Sequence, residues 1–304
     1  MRLANLDDRL VLLADGGAVD VHRASDGRFG PDPQTVYDDW EAFVAWAAGA
    51  QPGATAPVEA ARLGAPVPRP RQVFAVALNY PEHAGEANFT VPERPLLFTK
   101  FPSCLCGPDA VVEVATDMVD YEAELVVVIG RRAHRVAAQD AWAHVAGVTI
   151  GQDISARDVQ RWGPAPQFSL GKSFPNFGPT GPAVVTLDEV DVDALEITCR
   201  LNGDVVQQAP VTDMVFSVGT LIETISAICP LLPGDLLFTG TPSGVGARRT
   251  PPRWLRDGDR LESEITGLGA ITQSFVAPAY DATPAPTTTT TTTAVRREGA
   301  GARS

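Results

Sequence analysis

Short apolar runs, separated by some of the chain's 27 glycines and 26 prolines, constrain the fold more than any other feature of this sequence. Nine such runs of four to eight residues lie between residues 73 and 275. This length is typical of β-strands, because helices usually need ten or more residues, and few segments of the same region have a helical pattern. The sequence therefore predicts a β-rich α+β fold. The strand-like runs are 73–78, 111–114, 122–129, 145–150, 183–186, 197–201, 235–239, 260–265 and 270–275, and the helical patterns cover 137–142, 158–162 and 212–228.

A proline-rich connector at 64–71 divides the chain, because its three prolines cannot continue a helix. Residues 1–68 are predicted to form a small N-terminal domain, with a strand at 9–13 and a helix at 40–50. Residues 69–278 are predicted to form a second, larger domain. Residues 279–304 contain seven consecutive threonines and few apolar residues, so we expect a disordered tail.

The charge balance restricts the partners of this chain. With 37 acidic and 24 basic side chains the net charge is −13, which disfavours binding to nucleic acid or to anionic membranes. The sequence begins without the basic and apolar run of a signal peptide and contains no run of about 18 apolar residues, so we expect a cytoplasmic protein. The four cysteines form no C-x-x-C pair and the four histidines are scattered, which argues against a disulfide framework or a zinc site.

Three familiar motifs are incomplete in this sequence. The residues Gly171, Lys172 and Ser173 resemble the end of a P-loop, but Pro166 stands where that motif needs its first glycine. The glycine-rich stretch 240–246 lacks the spacing of a dinucleotide-binding loop, and no G-x-S-x-G occurs. The sequence therefore predicts neither a nucleotide site nor an α/β-hydrolase.

Three acidic residues point to a metal site. Glu122 and Glu124 alternate along a strand-like run, so both side chains are expected on one face. The run continues as apolar sequence, which indicates burial, and two buried carboxylates need a counter-charge. The alternative is a solvated strand end, whose two carboxylates would need none. Asp153 follows the run 145–150 at a predicted strand-to-helix junction. Three oxygen donors suit Mg²⁺, Mn²⁺ or Ca²⁺ better than zinc.

Six sequence blocks follow one another along the chain: Asn79 to Glu86, Lys100 to Ser103 with Gly107 and Pro108, Asp120 to Leu125, Asp153 to Gln160, Gly171 to Phe174, and Gly240 to Gly246. Taken together and in this order, they resemble the fumarylacetoacetate hydrolase family. The resemblance implies that residues 69–278 are a catalytic domain with a mixed β-roll, preceded by a small N-terminal α+β domain as in the bacterial members, and usually a homodimer. It also implies that a divalent metal, Mg²⁺ or otherwise Mn²⁺ or Ca²⁺, is held by Glu122, Glu124 and Asp153.

The resemblance also implies catalytic roles for three residues. His83 and Glu86 are three residues apart, so on one helical turn they can hydrogen-bond, and the carboxylate would make the imidazole a better base. A surface pair is the alternative interpretation of these two residues. Lys172 matches the family's motif lysine and would stabilise an oxyanion. The residues expected to contact the substrate are Gln160, Thr241, Arg157 and Tyr80, with Arg248 and Arg249 as unranked additions.

Our leading hypothesis from the sequence is a metal-dependent hydrolase that cleaves a carbon–carbon bond of an acylpyruvate-like β-diketo acid, as in the breakdown of aromatic compounds. The alternatives are a 2-oxo acid decarboxylase, or an isomerase or hydratase, on the same metal site, and a non-catalytic metal-binding scaffold. Residues 77–78 are Ala and Leu, where many family members have Gly followed by Leu or Arg, and an arginine there can meet a substrate carboxylate. This difference argues against the usual small dicarboxylate substrates.

Overall fold

The computed structural model describes residues 1–14, 17–49, 58–82 and 92–279. These residues form a strand-rich α+β fold, which confirms the predicted fold class, and each of the nine strand-like runs contains a strand. The strands are β1 (Arg2–Leu6), β2 (Arg9–Ala14), β3 (Gly17–Asp20), β4 (Leu63–Gly64), β5 (Val73–Ala77), β6 (Leu96–Thr99), β7 (Leu105–Cys106), β8 (Asp109–Glu113), β9 (Val119–Asp120), β10 (Ala123–Ile129), β11 (Val145–Gln152), β12 (Ser155–Ala156), β13 (Gly178–Val185), β14 (Glu196–Leu201), β15 (Asp204–Pro210), β16 (Leu236–Phe238), β17 (Arg260–Ile265) and β18 (Gly269–Val276).

The α-helices among the described residues are short. The predicted helix at 40–50 is present but ends earlier, at residue 47. No helix in the described ranges is both long enough and apolar enough to cross a membrane. The helices are α1 (Val21–Ala24), α2 (Trp40–Ala47), α3 (Phe168–Gly171) and α4 (Val218–Ser226), and the 3-10 turns are Thr35–Asp39, Ala60–Arg62, Pro102–Cys104, Ala138–His144, Val159–Arg161, Val192–Ala194, Val211–Asp213 and Gly246–Arg248.

The predicted helical patterns after residue 130 are only partly α-helical. The patterns at 137–142 and 158–162 are occupied by 3-10 turns. The long pattern at 212–228 is interrupted, because Asn79 accepts a hydrogen bond from the backbone N–H of Phe216 at 2.8 Å and its own backbone oxygen accepts one from Val215. Helix α4 then begins after Ser217, whose hydroxyl caps it. A long-range contact thus overrides the local helix propensity.

The central sheet has the order β3-β2-β1-β13-β11-β10-β16-β5-β6. Its middle strands, β10 and β11, are antiparallel and fully buried along their whole length. Continuous apolar sequence is what such strands require, since both of their faces are covered by protein. Their register places Glu124 opposite Gly151, two residues before Asp153.

A second sheet, with the order β15-β14-β17-β18-β8, packs against the first. Strand β14 shows the alternation of a half-covered strand, with Ile197, Cys199 and Leu201 buried. These residues join Val127 and Ile129 of the central sheet in one hydrophobic core. Each fully buried aliphatic side chain of this kind contributes roughly 1.5–3 kcal/mol of transfer free energy.

The N-terminal residues share the central sheet with the rest of the chain. Strand β1 pairs with β13, with Arg2 opposite Val185, so β1, β2 and β3 extend the sheet at that end. Trp40 and Phe43 of helix α2 belong to a hydrophobic cluster that also contains Phe238. The segment expected to be a separate small domain therefore packs on the same strands that carry the acidic residues. The expected tail, 279–304, lies outside the described residues except for its first residue.

Two glycines test how tightly the loop after β16 is packed. Both have positive φ, +103° for Gly244 and +82° for Gly258, which other residues rarely adopt. A Cβ at Gly244 would lie 2.0 Å from the backbone oxygen of Val206, whereas one at Gly258 would meet nothing within 4 Å. We expect Gly258→Ala to cost about 1 kcal/mol and Gly244→Ala a further 1–3 kcal/mol or so, measured by urea unfolding. Equal losses in the two variants would show that the loop yields at Gly244.

Candidate metal centre

Glu122, Glu124 and Asp153 meet at the ends of the two central strands. Each offers a carboxylate oxygen, and these oxygens all lie within 4.8 Å of one another. The residues are only 6%, 1% and 0% exposed, so the alternative of a solvated strand end is wrong. Glu122 immediately precedes β10, Glu124 lies within it, and Asp153 immediately follows β11. The pairing of these strands thus brings Asp153 close to two glutamates that precede it by 29 or more positions in the sequence.

Backbone hydrogen bonds hold the carboxylates in place. The N–H of Gly240 donates to Oε2 of Glu124 at 2.7 Å. The N–H of Asp153 donates to the backbone oxygen of Glu122 at 2.8 Å, and the N–H of Glu122 donates to the side chain of Gln152 at 2.9 Å. The acidic residues are therefore positioned by the strand ends and by the turn after β16.

Two buried lysines neutralise part of this negative charge. Nζ of Lys172 lies 2.6 Å from Oε2 of Glu122 and also pairs with Oδ2 of Asp153. Nζ of Lys100 lies 2.7 Å from Oδ1 of Asp153. Both oxygens of Asp153 thus accept from an ammonium group. The sequence analysis proposed a role for Lys172 but none for Lys100, although these are the only lysines of the chain.

A second ion pair joins the centre to the loop after β16. Arg157 lies 2.6 Å from Oε1 of Glu122 and 2.7 Å from Oδ2 of Asp120. Asp120 is fully buried and also accepts from the N–H groups of Gly246, at 2.7 Å, and Ala247, at 3.0 Å. The sequence analysis assigned Asp120 no role, because its importance depends on partners that are distant in sequence.

The electrostatics of the centre favour an added cation. Burial, together with the charges of Asp153 and Glu122, raises the pKa of Glu124 well above its ordinary value. Burial alone would lower the pKa of Lys172, but the same two neighbours raise it, so this lysine stays charged. Three carboxylates face two ammonium groups and the Asp120-bound guanidinium. The all-oxygen donor set and the unfavourable ionisation of Glu124 both fit a hard divalent cation such as Mg²⁺ or Mn²⁺.

A cavity of about 310 Å³ opens beside the centre. Its lining combines charged and polar groups with apolar ones, as in many sites for small organic molecules. Ala77 and Leu78, where an arginine could have met a substrate carboxylate, belong to the apolar lining. The polar and charged lining consists of Glu122, Arg157, Gln160, Lys172 and Thr241 with Arg161 and Arg248, and the apolar lining of Val76, Ala77, Leu78, Leu96, Pro166, Phe168, Val245 and Ala247.

Four of the predicted substrate contacts line this cavity, namely Arg157, Gln160, Thr241 and the unranked Arg248. Arg157 is one of them, and its Nη1 lies 3.4 Å from Oε1 of Gln160. The Nε2 group of Gln160 is buried and has no hydrogen-bond partner among the described residues. Thr241 donates its hydroxyl to the backbone oxygen of Ala123 and accepts from Gln207, each at 2.8 Å. Gln160 therefore offers a donor to a ligand, and Thr241 offers a remaining lone pair.

Other predicted residues lie elsewhere. Tyr80 is buried and lines a second cavity of about 250 Å³, and its hydroxyl has no hydrogen-bond partner among the described residues. Arg249 binds the backbone oxygens of Gly244 and Val206, which gives it a structural role. His83 and Glu86 lie outside the described residues.

Arg157 and Asp158 are adjacent and opposite in charge, but the structure does not pair them. Arg157 pairs with Asp120 and Glu122 instead. Asp158 accepts a hydrogen bond from the hydroxyl of Thr116 at 2.9 Å and does not cap the turn that follows it. Asp158 therefore has a structural contact outside the cavity.

A family profile described as the fumarylacetoacetate (FAA) hydrolase C-terminal region matches residues 72–276. Among curated proteins, Oxaloacetate tautomerase FAHD2A, mitochondrial, of Homo sapiens is 46% identical over 215 residues. The aligned part covers 70% of this chain and 68% of the human protein. The family match at 72–276 includes Glu122, Glu124 and Asp153.

Solved structures resemble the chain over a longer stretch. An HpcE candidate from Mycobacterium smegmatis has 50% sequence identity and a TM-score of 0.88, covering 91% of this chain and 99% of that one. The fumarylacetoacetate hydrolase of Exiguobacterium antarcticum has 30% identity and a TM-score of 0.77, covering 91% of this chain and 100% of that one.

Replacing Glu124 tests the electrostatics of the centre. A carboxylate whose pKa is raised by folding contributes stability below its ordinary pKa, and that stability is lost as the pH rises through the raised pKa. Without divalent cations, the melting temperature of the wild-type protein should therefore fall with rising pH relative to that of Glu124→Gln. Mn²⁺ should stabilise the wild type but not the variant, because the variant lacks one ligand.

Exposed Glu113 provides the matched control, since Glu113→Gln makes the same chemical change away from the centre. Differential scanning fluorimetry from pH 5 to pH 9, with EDTA or Mn²⁺, measures all three proteins. Parallel pH profiles for the wild type and Glu124→Gln would contradict the assignment of a raised pKa to Glu124.

Proposed function

Because this chain belongs to the fumarylacetoacetate hydrolase family, we propose that it is a divalent-cation-dependent enzyme that stabilises the enolate of a 2-oxo acid. The observation that carries this proposal is the meeting of three buried carboxylates with Lys172 at the polar wall of the 310 Å³ cavity. Glu122, Glu124 and Asp153 would hold the cation. When bound, a divalent cation polarises the keto group of a 2-oxo acid and spreads the charge of its enolate.

The residues of the cavity wall supply the remaining interactions. Lys172 presents an ammonium group to an oxyanion, in a buried site where such a charge is most effective. Arg157 is held by Asp120 and cannot leave the wall without breaking that pair. The Nε2 group of Gln160, which has no hydrogen-bond partner in the part of the chain that the structure describes, can donate to the substrate carboxylate, and Thr241 can accept from an enol hydroxyl.

The first candidate reaction is the hydrolysis of a carbon–carbon bond in a β-diketo acid. His83, oriented by Glu86, would remove a proton from water, and the resulting hydroxide would add to the carbonyl farther from the carboxylate. The bond between that carbonyl and the adjacent carbon then breaks, and its electron pair forms the enolate of the 2-oxo acid. Protonation of that adjacent carbon completes the reaction. The H-x-x-E spacing and the likeness to the Exiguobacterium antarcticum hydrolase favour this candidate.

The second candidate is keto–enol interconversion of a 2-oxo acid such as oxaloacetate. It uses the same enolate but requires only the movement of a proton between carbon and oxygen. The 46% identity to a human protein named as an oxaloacetate tautomerase favours this candidate. Decarboxylation of a 3-carboxylated 2-oxo acid would also pass through this enolate, without attack by water.

A substrate panel separates these reactions. Purified protein with Mg²⁺ or Mn²⁺ is incubated separately with acetylpyruvate, fumarylpyruvate and oxaloacetate. The reactions are monitored by diketone absorbance, enol absorbance and pyruvate release. We expect cation-dependent turnover of at least one 2-oxo acid. Faster loss of the oxaloacetate enol without pyruvate would establish the tautomerase, and pyruvate release from a diketo acid the hydrolase. Failure on every substrate with saturating cation would contradict the proposed enzyme.

Replacing His83 separates the roles of base and metal ligand. His83→Ala should reduce kcat for hydrolysis by about 10²–10⁴-fold, because a positioned general base contributes about that much. The affinity for Mn²⁺, measured by calorimetry, should remain that of the wild type. His22→Ala is the control, since His22 hydrogen-bonds the backbone oxygen of Phe29 in the N-terminal segment and should leave both quantities unchanged. Parallel loss of Mn²⁺ binding in His83→Ala would overturn the assigned role.

We also propose that the protein is a homodimer and binds only small-molecule substrates, with no nucleic acid or membrane partner. Light scattering of the purified full-length chain checks the oligomeric state.

A further inference from the structure

The two lysines of this chain contact the same carboxylate but have different surroundings. Lys100 follows strand β6 and reaches Oδ1 of Asp153, whereas Lys172 follows helix α3 and reaches Oδ2. Both are almost completely buried. A carboxylate with an ammonium group on each oxygen raises the question of which group remains when a divalent cation binds.

Lys100 is fixed on every side. Its Nζ donates to Asp153 at 2.7 Å, to the backbone oxygen of Phe177 at 3.1 Å, and to the backbone oxygen of Lys172. These partners use all three N–H donors of an ammonium group. The side chain has no exposed surface, lies over the ring of Phe238 and is not part of the cavity lining. Lys100 cannot reach another partner without giving up its hydrogen bonds to two backbone oxygens.

Lys172 is held differently. Its Nζ contacts Asp153 and Glu122, which are two of the three carboxylates that would bind the cation. The side chain lines the cavity, and Nζ lies 4.8 Å from the centre of the Phe98 ring. Both charged partners of Lys172 thus belong to the metal centre itself, and the space beside it is open to a ligand.

Charge repulsion decides between the two lysines. A divalent cation on Glu122 and Asp153 would stand close to the ammonium group that occupies them now, in a buried site where repulsion is screened weakly. Lys100 already balances Oδ1 of Asp153. The charges of Arg157 and Asp120 balance each other. The cation and Lys100 together then carry three positive charges, which match the three carboxylates, so Lys172 is no longer needed for neutrality.

We propose that the ammonium group of Lys172 occupies the place of the divalent cation beside Glu122 and Asp153. When the cation binds, it displaces this ammonium group toward the cavity, while Lys100 remains as the permanent counter-charge of Asp153. This inference rests on the proposed function, since it assumes that the three carboxylates bind a cation. It deepens that proposal, because binding of the cation would present Lys172 to the substrate. Lys100 is a positioning residue that holds Asp153 and the backbone of Lys172 in place during the exchange.

Cation affinity tests the competition directly. If Lys172 competes with the cation, Lys172→Met should bind Mn²⁺ about tenfold more tightly than the wild type, because removing a nearby like charge favours the cation. Lys172→Arg keeps the charge and should stay within about threefold of the wild type. Calorimetry at pH 8 on the full-length proteins measures the dissociation constants. Equal or weaker binding by Lys172→Met would overturn the exchange.

The presence of only two lysines permits a second readout in the unaltered protein. Protein labelled with ¹³C at lysine Cε gives two lysine signals, which Lys172→Arg assigns by removing one. Titration with diamagnetic Mg²⁺ should move the Lys172 signal more than the Lys100 signal. An equal or larger shift of the Lys100 signal, or no shift of either at saturation, would overturn the inference.

These outcomes are distinguishable from failure of the proposed function. Absence of Mg²⁺ and Mn²⁺ binding to the wild type would overturn both proposals. Binding that is lost in Glu124→Gln but unaffected by Lys172→Met would support the metal centre and overturn only the exchange.

Discussion

The burial of three carboxylates at one end of the central sheet is the constraint on which the rest of this structure depends. Taking ionised groups out of water is costly, and Coulomb attraction offsets that cost only when counter-charges are placed accurately. Here Lys172, Lys100 and Arg157 supply those counter-charges from three separate segments. Their positions explain why so many otherwise unrelated loops converge on this end of the sheet.

The fold provides the rigidity that such an arrangement needs. Glu124 and the residues just before Asp153 lie in strands that are buried on both faces and paired along their length. The turn after β16 adds a backbone donor at Gly240, and Asp120 ties the following loop to Arg157. Because hydrogen bonds and ion pairs join the loops to the acidic residues themselves, the polar lining of the cavity and the metal centre form one unit.

Some of this site could be predicted from local sequence. The alternation of Glu122 and Glu124 before an apolar run indicated two carboxylates on one face, and the position of Asp153 after a second run indicated a third. Strand period and burial are local properties, which explains the success of these predictions. Lys100 and Asp120 were missed as participants, because neither has a local pattern that distinguishes a buried counter-charge from a surface residue. The break before helix α4 was missed for the same reason, since it depends on Asn79, which is remote in sequence.

The sequence by itself determined the fold class, the positions of ten of the eighteen strands among the described residues and the identity of the three acidic residues, since short apolar runs and alternating side chains depend only on near neighbours. The tertiary structure decided how the charges are balanced. Only the pairing of β10 with β11 brings Asp153 to Glu124, and only the tertiary placement of the residues that follow β6 and α3 sets one lysine on each oxygen of Asp153. The physical reason is that electrostatic interactions depend on distance through space and on burial, and neither can be deduced from separation along the chain.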